Sequence, residues 1–503
     1  MKNLVISTAI ALFLGLIVAA PPGGYPLKRT NYTFEVPLDH FASGGNSPTF
    51  NIKYLADAQY WNPMEGPIFF YAGNEGKVEG FWDNSGFLTD VLAPQHQALI
   101  IFGEHRYFGD SFPFDKKVAL DKDHNKWLTV EQAMMDYVLL IKEIRYIYGA
   151  SDKPVVVFGG SYGGMLASWL RMKYPATFQG AYASSAPILY FKDSGVPQSA
   201  FGDIITQDFY AANQNCPSII KEAWGYLMDI KENRPTDYPA LKTIFNTCTD
   251  ITVKADVDNL YTYLMNGFSY MAMTDYPYET SFLNPMPANP VNAACTKLKD
   301  IPYPAPKSEK STVGALSARE TLVLQGVQDA SSVYFNYKGQ TPCNDISNSD
   351  ATGQLDGAGW DVLACNQLAM PTTNGKDSMF LVNDPFDEKA FNADCMQKYG
   401  LTPRYGWVWD TFGGQNIQKD FQAHTNIIFT NGNLDPWSAG GVTANITGNP
   451  TINSILLEGS AHHLELRAPN DADPDDVKKV RGTISDTIGK WVSEYFTKPT
   501  YYQ

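Results

Sequence analysis

The sequence predicts an α/β fold in which a doubly wound, largely parallel sheet is interrupted by a large insertion. Between about residues 67 and 189, short apolar runs alternate with helical patterns, as buried parallel strands alternate with the helices that connect them. The alternation stops over residues 191–405 and resumes after Tyr405. These observations predict one sheet domain that is split along the chain by an inserted domain.

The first part of the sheet domain contains runs that are continuously apolar and bounded by Gly or polar residues. They predict buried strands at Ile68–Tyr71, Ala98–Phe102 and Pro154–Phe158. Between the last two, Thr129 and Gln132 have the spacing of a capping box, which predicts the start of a helix. Its apolar face continues to Ile144, and Gly149 ends it. A second predicted helix runs from Gly163 to about Lys173.

The second part of the sheet domain repeats this pattern on a smaller scale. Asn426–Phe429 and Ile452–Leu457 are strand-like, and Val477–Phe496 predicts a terminal helix. After a leader, the predicted domains are therefore residues 21–190, 191–405 and 406–503.

The predicted insert, residues 191–405, is rich in Asn, Asp, Pro and Tyr and carries patchy helical patterns. It contains all of the cysteines, namely Cys216, Cys248, Cys295, Cys343, Cys365 and Cys395. An even number of cysteines in an exported chain indicates disulfides. No CxxC pair occurs, which argues against redox and zinc motifs. We expect a mostly helical domain that is held by disulfides, with no metal site and no cofactor.

Residues 1–20 have the layout of a secretory signal peptide, with an early lysine, an apolar run from Leu4 to Ala20, and small residues at its end. The alternative is a transmembrane anchor. It fits less well because the run is shorter than the roughly 20 residues that a span needs, and no later stretch is long enough. The sequence therefore predicts a lysosomal or secreted protein with no membrane span.

The composition excludes some classes of function. The net charge of −15 and the pI near 4.9 argue against nucleic-acid binding, which needs basic patches. Aromatic residues at 13% and hydrophobic residues at 44% are sufficient for a large core. Asn31 and Asn445 begin Asn-x-Thr sequons, so both are predicted glycosylation sites in an exported chain.

The motif Gly159-Gly-Ser161-Tyr-Gly163 directly follows a predicted strand and precedes a predicted helix. In this position it is typical of a nucleophile elbow, a tight turn whose glycines let the strand and the helix approach each other. The helix N-terminus would favour negative charge on the substrate oxygen. The alternative is a structural Gly-rich turn with an incidental serine. The strand–turn–helix context favours a nucleophile at Ser161 in an α/β hydrolase.

A serine nucleophile needs a histidine base and an acid that orients the base, and α/β hydrolases supply them in the chain order Ser, acid, His. Of the seven histidines, His424, His462 and His463 follow Ser161. His424 precedes a predicted strand and so lies at the wrong end of the sheet, whereas His462 and His463 follow one. Asp435, after the preceding strand, is the predicted acid. Spacing alone does not choose between His462 and His463.

Recognisable motifs are spread in order over nearly the whole mature chain. They are Val36-Pro-Leu-Asp-His-Phe41, Phe70-Tyr-Ala-Gly-Asn-Glu-Gly76, Glu104-His-Arg-Tyr-Phe-Gly109, Leu128-Thr-Val-Glu-Gln-Ala133, Gly159-Gly-Ser-Tyr-Gly-Gly-Met165, Asn431-Gly-Asn-Leu-Asp-Pro-Trp437 and Ala461-His-His-Leu-Glu-Leu-Arg467. With these motifs the chain resembles the lysosomal Pro-Xaa carboxypeptidase and dipeptidyl-peptidase II family of serine peptidases. The resemblance implies Ser161, Asp435 and His462 as the catalytic triad.

The same resemblance implies an α/β-hydrolase fold with a helical cap and peptide substrates that are cleaved after proline close to one terminus. It leaves a homodimer open. It also implies the disulfides Cys216–Cys295, Cys248–Cys343 and Cys365–Cys395.

The predicted oxyanion hole combines two backbone N–H groups. One belongs to Tyr162, the residue after the nucleophile, and the other to the loop Gly73-Asn74 after the first predicted strand. The alternative for this loop is an ordinary turn. Met165 and Trp437 are close enough in sequence to the predicted triad to line an apolar pocket for the proline ring, although each fits core packing equally well.

The peptide terminus that is bound depends on charged anchors. A dipeptidyl peptidase needs an acid for the substrate amine, and a carboxypeptidase needs a cation for the terminal carboxylate. Asp361 and Glu75 are candidate amine anchors, whereas His463 and Arg467 are candidate carboxylate anchors. The stretch Met370–Gly375 resembles the carboxypeptidase branch. Asp361, beside a tryptophan and near a cysteine, favours release of N-terminal Xaa-Pro dipeptides over removal of one C-terminal residue.

Two other classes of function compete with this hypothesis. A carboxylesterase or lipase shares the GxSxG turn, but Gly-Asn-Glu-Gly stands where those enzymes have an HGGG-type loop. A non-catalytic α/β-hydrolase module for adhesion has no need of an intact triad. A fluorophosphonate probe separates the last class from the others, because an adhesion module should not be labelled.

Overall fold

The computed structural model describes residues 28–45, 47–305, 315–347 and 355–497. The predicted signal peptide, residues 1–20, lies outside the described residues. Within the described part of the chain, no helix is long and apolar enough to cross a membrane.

The centre of the structure is a mixed sheet. Its strands are β1 (Thr30–Pro37), β2 (Thr49–Asp57), β3 (Ile68–Ala72), β4 (Leu99–Gly103), β5 (Val155–Gly160), β6 (Gly180–Ser184), β7 (Ile427–Gly432) and β8 (Ile452–Leu457). They lie side by side in the order β1-β2-β4-β3-β5-β6-β7-β8. The pairs β1–β2 and β2–β4 are antiparallel, and the other neighbours are parallel. The predicted strands are confirmed as β3, β4, β5, β7 and β8, and the fold is that of an α/β hydrolase.

The remaining strands, β1, β2 and β6, were not predicted from the sequence. In β1 and the first part of β2 the apolar residues alternate with polar ones, which is the pattern of strands that pack on one face. Four of the five residues of β6 are small, and a large side chain packs against the strand at Gly180. A Cβ at Gly180 would lie 2.2 Å from the ring of Trp491. Small residues give little hydrophobic signal, so this strand is hard to see in the sequence.

Helices cover both faces of the sheet and form most of the insert. They are α1 (Val78–Asp83), α2 (Ala93–His96), α3 (Val130–Ile147), α4 (Tyr162–Lys173), α5 (Ala200–Ala212), α6 (Cys216–Asn233), α7 (Tyr238–Phe245), α8 (Lys254–Met273), α9 (Pro290–Leu298), α10 (Ala318–Phe335), α11 (Gly357–Asn366), α12 (Glu388–Tyr399), α13 (Trp407–Phe412), α14 (Ile417–Asp420) and α15 (Asp475–Thr497). The helices predicted after Thr129, after Ser161 and at the C-terminus are α3, α4 and α15. As expected, the Thr129 side chain accepts a hydrogen bond from the N–H of Gln132.

The two faces of the sheet belong to separate hydrophobic clusters, since successive residues of a strand point to opposite sides. Phe70 and Val157 pack with α3 and α4, whereas their neighbours Phe69 and Val156 pack with α15. The strands β3 to β7 are therefore enclosed by helices, which leaves their carboxyl ends and the following loops as the accessible edge.

The insert has a hydrophobic cluster of its own, which extends from Ile205 to Phe380 and is formed mainly by α5 to α10. The structure contains the disulfides Cys216–Cys295, Cys248–Cys343 and Cys365–Cys395, the pairing that the family resemblance implies. The limits of the insert, residues 191 and 405, stay a prediction. Within them, Leu363 of α11 packs with the cluster of the sheet domain, so the C-terminal part of the insert lies against that domain.

The two sequons lie on the surface. Asn31 in β1 and Asn445 between β7 and β8 are both exposed. Their glycosylation stays a prediction that this exposure permits.

Candidate active site

Ser161 lies between the end of β5 and the start of α4. Its φ of 58° and ψ of −128° are unfavourable for a residue with a side chain, as in a nucleophile elbow. The Ser161 N–H donates to the carbonyl oxygen of Ser184 at 2.9 Å. A Cβ at Gly159 would lie 2.0 Å from the carbonyl oxygen of Gly163, and one at Gly163 would lie 2.8 Å from that of Ala72. The glycines of the motif are thus required by the close approach of strand and helix.

Asp435 and His462 follow β7 and β8 and are paired. The Nδ1–H of His462 donates to Oδ2 of Asp435 at 2.8 Å, and Oδ1 of Asp435 accepts the N–H of Trp437 at 3.0 Å. Asp435 is 0% exposed and His462 is 1% exposed. The pairing fixes the proton on Nδ1, which leaves Nε2 of His462 to take up a proton. Ser161 and His462 line the same cavity.

His463 differs from His462 in its partners. Its backbone N–H donates to Oγ of Ser185 at 2.8 Å, and its ring lies against the ring of Phe282. Its Nδ1 is buried and has no hydrogen-bond partner among the described residues. Burial, with smaller contributions from His462 and Arg467, lowers the pKa of His463 well below its usual value. A neutral ring without a carboxylate partner lacks what a triad base requires.

The third candidate, His424, lies just before β7. It is therefore at the opposite end of the sheet from the cavity, as the sequence predicted.

The N–H of Gly73 does not fit the oxyanion hole that the sequence predicted. The N–H of Gly73 donates to the carbonyl oxygen of Gly103 at 2.9 Å, so it is not available to a substrate. The next N–H, that of Asn74, forms no hydrogen bond with the residues that the structure describes, and Asn74 lines the cavity. Tyr162 is the first residue of α4, so its N–H has no partner within the helix. The candidate donors are therefore Tyr162 and Asn74.

Two buried side chains fix the residues that carry or adjoin these donors. Neither contact was predicted from the sequence. Nε2 of His105 lies 3.0 Å from the hydroxyl of Tyr162, and the hydroxyl of Tyr137 donates to the carbonyl oxygen of Gly73 at 2.6 Å. Burial lowers the pKa of His105 to about 4, so the ring is neutral. His105 lies in one of the segments that carry the family resemblance, but nothing in the local pattern indicated this contact.

Glu465 connects the loop that carries His462 to the sheet through hydrogen bonds. This buried carboxylate accepts hydrogen bonds from the hydroxyls of Tyr182 and Ser184 in β6 and of Thr430 in β7, at 2.9, 2.5 and 2.5 Å. From the other side, Arg481 of α15 donates to the backbone carbonyl of Glu465 at 2.9 Å. These contacts were also missed, since they join residues far apart in the sequence.

The cavity at Ser161 contains about 890 Å³ of empty space, part of it open to solvent. Its walls are predominantly aromatic and apolar. Around Ser161 they are formed by Tyr162, Met165, Met273, Phe282, Trp360, Met370 and Trp437. Met165 and Trp437 thus lie where the sequence predicted them. A cavity with this lining suits a small apolar group beside a reactive atom.

Glu75 is the one carboxylate among the described residues that line this cavity. Its Oε2 accepts a hydrogen bond from Nδ2 of Asn74 at 2.8 Å. Burial raises the pKa of Glu75 above its usual value, and the hydrogen bonds and nearby His462 oppose this effect. Glu75 therefore lies in the place that an amine anchor would require, but burial disfavours its charged form.

The structure does not place Asp361 at the cavity. Its neighbour Trp360 lines the cavity and contacts the ring of Tyr162, with centroids 5.4 Å apart. Asp361 is exposed and lies 3.5 Å from the hydroxyl of Tyr399. Both residues belong to α11, where successive side chains point about 100° apart. The prediction that Asp361 binds a substrate amine has no support in this geometry.

Arg467 lies just behind the cavity wall. Its guanidinium donates to the side-chain oxygens of Asn84, Tyr278 and Thr280 at 2.9, 3.3 and 3.2 Å. No salt bridge to it exists among the described residues. Asn84 lines the cavity, so the charge of Arg467 is close to the cavity although Arg467 is not part of its lining.

Comparison with known proteins now identifies the family. The model of a family described as serine carboxypeptidase S28 matches residues 36–484. The chain belongs to the serine carboxypeptidase S28 family. This S28 protein is therefore a serine-type exopeptidase.

Individual relatives agree with this assignment. Lysosomal Pro-X carboxypeptidase from Homo sapiens is 38% identical over 94% of this chain and 91% of its own length, and that from Bos taurus is 39% identical over 94% and 90%. Among solved structures, proline iminopeptidase from Mycobacterium smegmatis aligns over 92% of this chain and 99% of its own. That match has 12% identity and a TM-score of 0.34, which is too distant to support a conclusion about function.

Within the described residues, no group of His, Cys, Asp or Glu side chains could hold a metal ion.

Proposed function

We propose that this protein is a carboxypeptidase that removes one residue from the C-terminal side of a penultimate proline. The observation that carries the proposal is the buried Asp435–His462 pair, whose histidine lines the same apolar cavity as the strained Ser161. This arrangement supports acyl transfer through a serine nucleophile. The relatives named above are Pro-X carboxypeptidases.

In the proposed reaction, Oγ of Ser161 attacks the prolyl carbonyl carbon while Nε2 of His462 takes the hydroxyl proton. The resulting oxyanion accepts hydrogen bonds from the N–H groups of Tyr162 and Asn74. His462 then gives its proton to the leaving amino group, and the C–N bond breaks. Water hydrolyses the acyl-enzyme in the same manner. Asp435 keeps the His462 ring oriented and stabilises the imidazolium.

The proline preference is explained by the apolar wall near Ser161. Proline has a rigid ring and no N–H, so a pocket that selects it offers apolar surface and shape instead of a hydrogen-bond acceptor. Met165, Met370 and Trp437 supply such a surface, and methionine side chains adapt their shape to a ring. We assign these residues to the proline subsite.

The carboxypeptidase direction rests on Arg467. Among the described residues its guanidinium has only neutral oxygen partners, so its positive charge is left to attract a substrate carboxylate in the adjoining cavity. Neutral His463 can donate a hydrogen bond from Nδ1, which otherwise has no partner among the described residues. The amine anchor predicted at Asp361 lies away from the cavity, which removes the main argument for the dipeptidyl-peptidase direction.

A second candidate function, release of N-terminal Xaa-Pro dipeptides, retains one supporting observation. Glu75 lines the cavity and could pair with a substrate amine. Because burial raises its pKa, this anchor would be weakest under acidic conditions.

Two matched peptides test whether residues are released from the C-terminus or from the N-terminus of the substrate. The first has an acetylated N-terminus and ends in Pro-Phe with a free carboxylate, and the second has a free N-terminal Xaa-Pro and an amidated C-terminus. We expect release of Phe from the first and no cleavage of the second. The opposite result would establish the dipeptidyl-peptidase direction.

The variant Arg467→Gln tests whether Arg467 attracts the substrate carboxylate or only stabilises the structure. Loss of the anchor should reduce kcat/KM for a peptide with a free C-terminus by about 10-fold or more, while the rate at which a small fluorophosphonate labels Ser161 stays unchanged. An equal loss of peptide hydrolysis and of labelling would assign Arg467 to structure.

The chain is a protein of the secretory pathway, as its disulfides indicate. We further propose a lysosomal location, on the grounds that the relatives named above are lysosomal enzymes. Colocalisation of the tagged chain with a lysosomal marker tests this, and recovery in the medium alone would contradict it. A homodimer stays a prediction.

A further inference from the structure

The short segment Met273–Tyr276, at the C-terminal end of α8, joins the insert to the backbone of His462. The N–H of His462 donates to the carbonyl oxygen of Met273 at 3.0 Å. The hydroxyl of Tyr276 donates to the carbonyl oxygen of His462 at 2.9 Å. Within the part of the chain that the structure describes, both backbone polar groups of the proposed base are thus bound by the insert and neither by the sheet.

The same segment also reaches the loop of the proposed acid. The indole N–H of Trp437, two residues after Asp435, lies 3.3 Å from the sulfur of Met273. Met273 therefore contacts both loops whose side chains form the Asp435–His462 pair. A displacement of this segment would move the two partners of that pair relative to Ser161.

The segment is itself fixed within the insert. The N–H of Tyr276 donates to the carbonyl oxygen of Thr274 at 2.7 Å, and the carbonyl oxygen of Tyr276 accepts the N–H of Asn289 at 2.8 Å. Oδ1 of Asp275 accepts the N–H of Val291 at 3.1 Å. α9 therefore holds this segment in place.

Tyr276 is fully buried although it belongs to the insert. Its ring packs in the hydrophobic cluster between the sheet and α15, and the guanidinium of Arg467 lies 4.4 Å from the ring centroid. A tyrosine in such a position needs a partner for its hydroxyl, and the carbonyl of His462 is that partner.

We propose that Tyr276 is a positioning residue for His462, through which the insert sets the alignment of the catalytic base as well as enclosing the substrate. The proposal rests on the proposed function, in which His462 is that base. Transfer of a proton between Ser161 and His462 requires their alignment to within about 0.5 Å, so the orientation of the His462 backbone affects the rate of the chemical step. Tyr276 does not line the cavity, and its hydroxyl contacts the backbone of His462 rather than the ring.

The test compares Tyr276→Phe with Tyr238→Phe. Tyr238 is also a buried tyrosine of the insert, and its hydroxyl donates to the carbonyl oxygen of Lys231 at 3.0 Å, so the control removes the same type of hydrogen bond away from the site. We expect kcat to fall about 3- to 10-fold in Tyr276→Phe with KM changed by less than about 2-fold, and neither to change in Tyr238→Phe. The rate of Ser161 labelling by a small fluorophosphonate should fall in proportion to kcat.

Thermal unfolding of both variants separates positioning from stability. Equal losses of Tm with a loss of kcat in Tyr276→Phe alone would support the proposal. Equal kcat in the two variants, or a change that is confined to KM, would overturn it. In a His462→Ala background, Tyr276→Phe should have no further effect on labelling, because it acts through His462. If His462→Ala itself were as active as wild type, the proposed function would fail instead, and the two failures are thus distinguishable.

Discussion

The sheet domain and the insert contribute to one cavity in different ways. The sheet domain supplies the groups with reactive chemistry, since Ser161 follows β5, Asp435 follows β7 and His462 follows β8. The insert supplies apolar wall and backbone contacts, through residues such as Met273 and Trp360. Substitutions of these groups in the sheet domain should therefore abolish catalysis. Substitutions in the insert should change the alignment of the catalytic groups, the specificity or the stability.

Both regions pair some of their buried charges. The buried Asp136 of the sheet domain pairs with Arg106 at 2.6 Å, and the buried Glu320 of the insert pairs with Arg234 at 2.5 Å. Asp208 of the insert is also buried, but it has no salt bridge among the described residues. A buried carboxyl without a cation favours its protonated form. The stability of the insert should thus depend on pH through Asp208.

The largest expected effect lies in the sheet domain. Ser161→Ala should lower kcat by about 10⁴-fold or more, because it removes the attacking oxygen, while the fold persists because little volume is lost. Hydrolysis of a peptide that ends in Pro-Phe measures the loss, and thermal unfolding checks the fold. Activity within about tenfold of wild type, in a preparation free of other peptidases, would exclude Ser161 as the nucleophile.

The adjacent histidines provide a sharper test of the same region. We expect His462→Ala to be as damaging as Ser161→Ala, because His462 alone is paired with Asp435. His463→Ala should retain measurable turnover, since this neutral ring has no carboxylate partner. Steady-state kinetics of the two variants and of the double variant Ser161→Ala/His462→Ala measure the difference. The reverse ranking would move the base to His463 and contradict the present assignment.

The predictive power of the sequence also differs between the two regions. The strands that precede Ser161, Asp435 and the histidine pair are short apolar runs, and reactive residues directly after such runs are a local pattern. The positions of these residues at one edge of the sheet could therefore be predicted. The small residues of β6 gave no comparable signal.

Other features depend on contacts that local patterns do not contain. The choice of Asn74 over Gly73 depends on a hydrogen bond between Gly73 and Gly103 in a neighbouring strand. The exposure of Asp361 depends on how α11 is rotated against the sheet domain. The contact between Tyr276 and His462 joins residues that are 186 positions apart.

In the insert, removal of a disulfide should affect stability more than chemistry. The double variant Cys216→Ala/Cys295→Ala should lower the free energy of unfolding by about 2–4 kcal/mol, because the disulfide closes a loop with a sequence separation of 79. The folded variant should keep kcat within about threefold of wild type. Urea unfolding followed by kinetics at low temperature measures both quantities.

A shorter disulfide loop provides the control. The separation of Cys365 and Cys395 is 30, so their replacement by alanine should cost about 1 kcal/mol less than replacement of the first pair. Loss of activity in a folded variant lacking the Cys216–Cys295 bond would contradict the division between a catalytic sheet domain and a stabilising insert.

The smallest expected effect on activity concerns Asp208 in α5, whose replacement should change only how stability depends on pH. Burial, followed by repulsion from Asp275 and Asp435, raises the pKa of Asp208 to about 9, and burial raises that of Asp275 to about 7. An unfolded aspartate has a pKa near 4. Between pH 4 and pH 9 the folded protein therefore binds a proton at Asp208 that the unfolded chain has lost, so the free energy of unfolding falls as the pH rises through this window.

Asp208→Asn replaces this carboxyl with a neutral group of nearly the same shape. We expect the variant to melt at a higher temperature than wild type at pH 7 and at a similar temperature at pH 4, which gives a flatter profile of Tm against pH. Asp203→Asn is the same substitution in the same helix at a half-buried position, so it should leave the slope of that profile unchanged. If Asp208→Asn and Asp203→Asn had equal slopes, burial of Asp208 would not be the source of pH sensitivity in the insert. A flatter profile for Asp208→Asn alone would identify one carboxyl through which an acidic environment stabilises the insert and, with it, the segment that contacts His462.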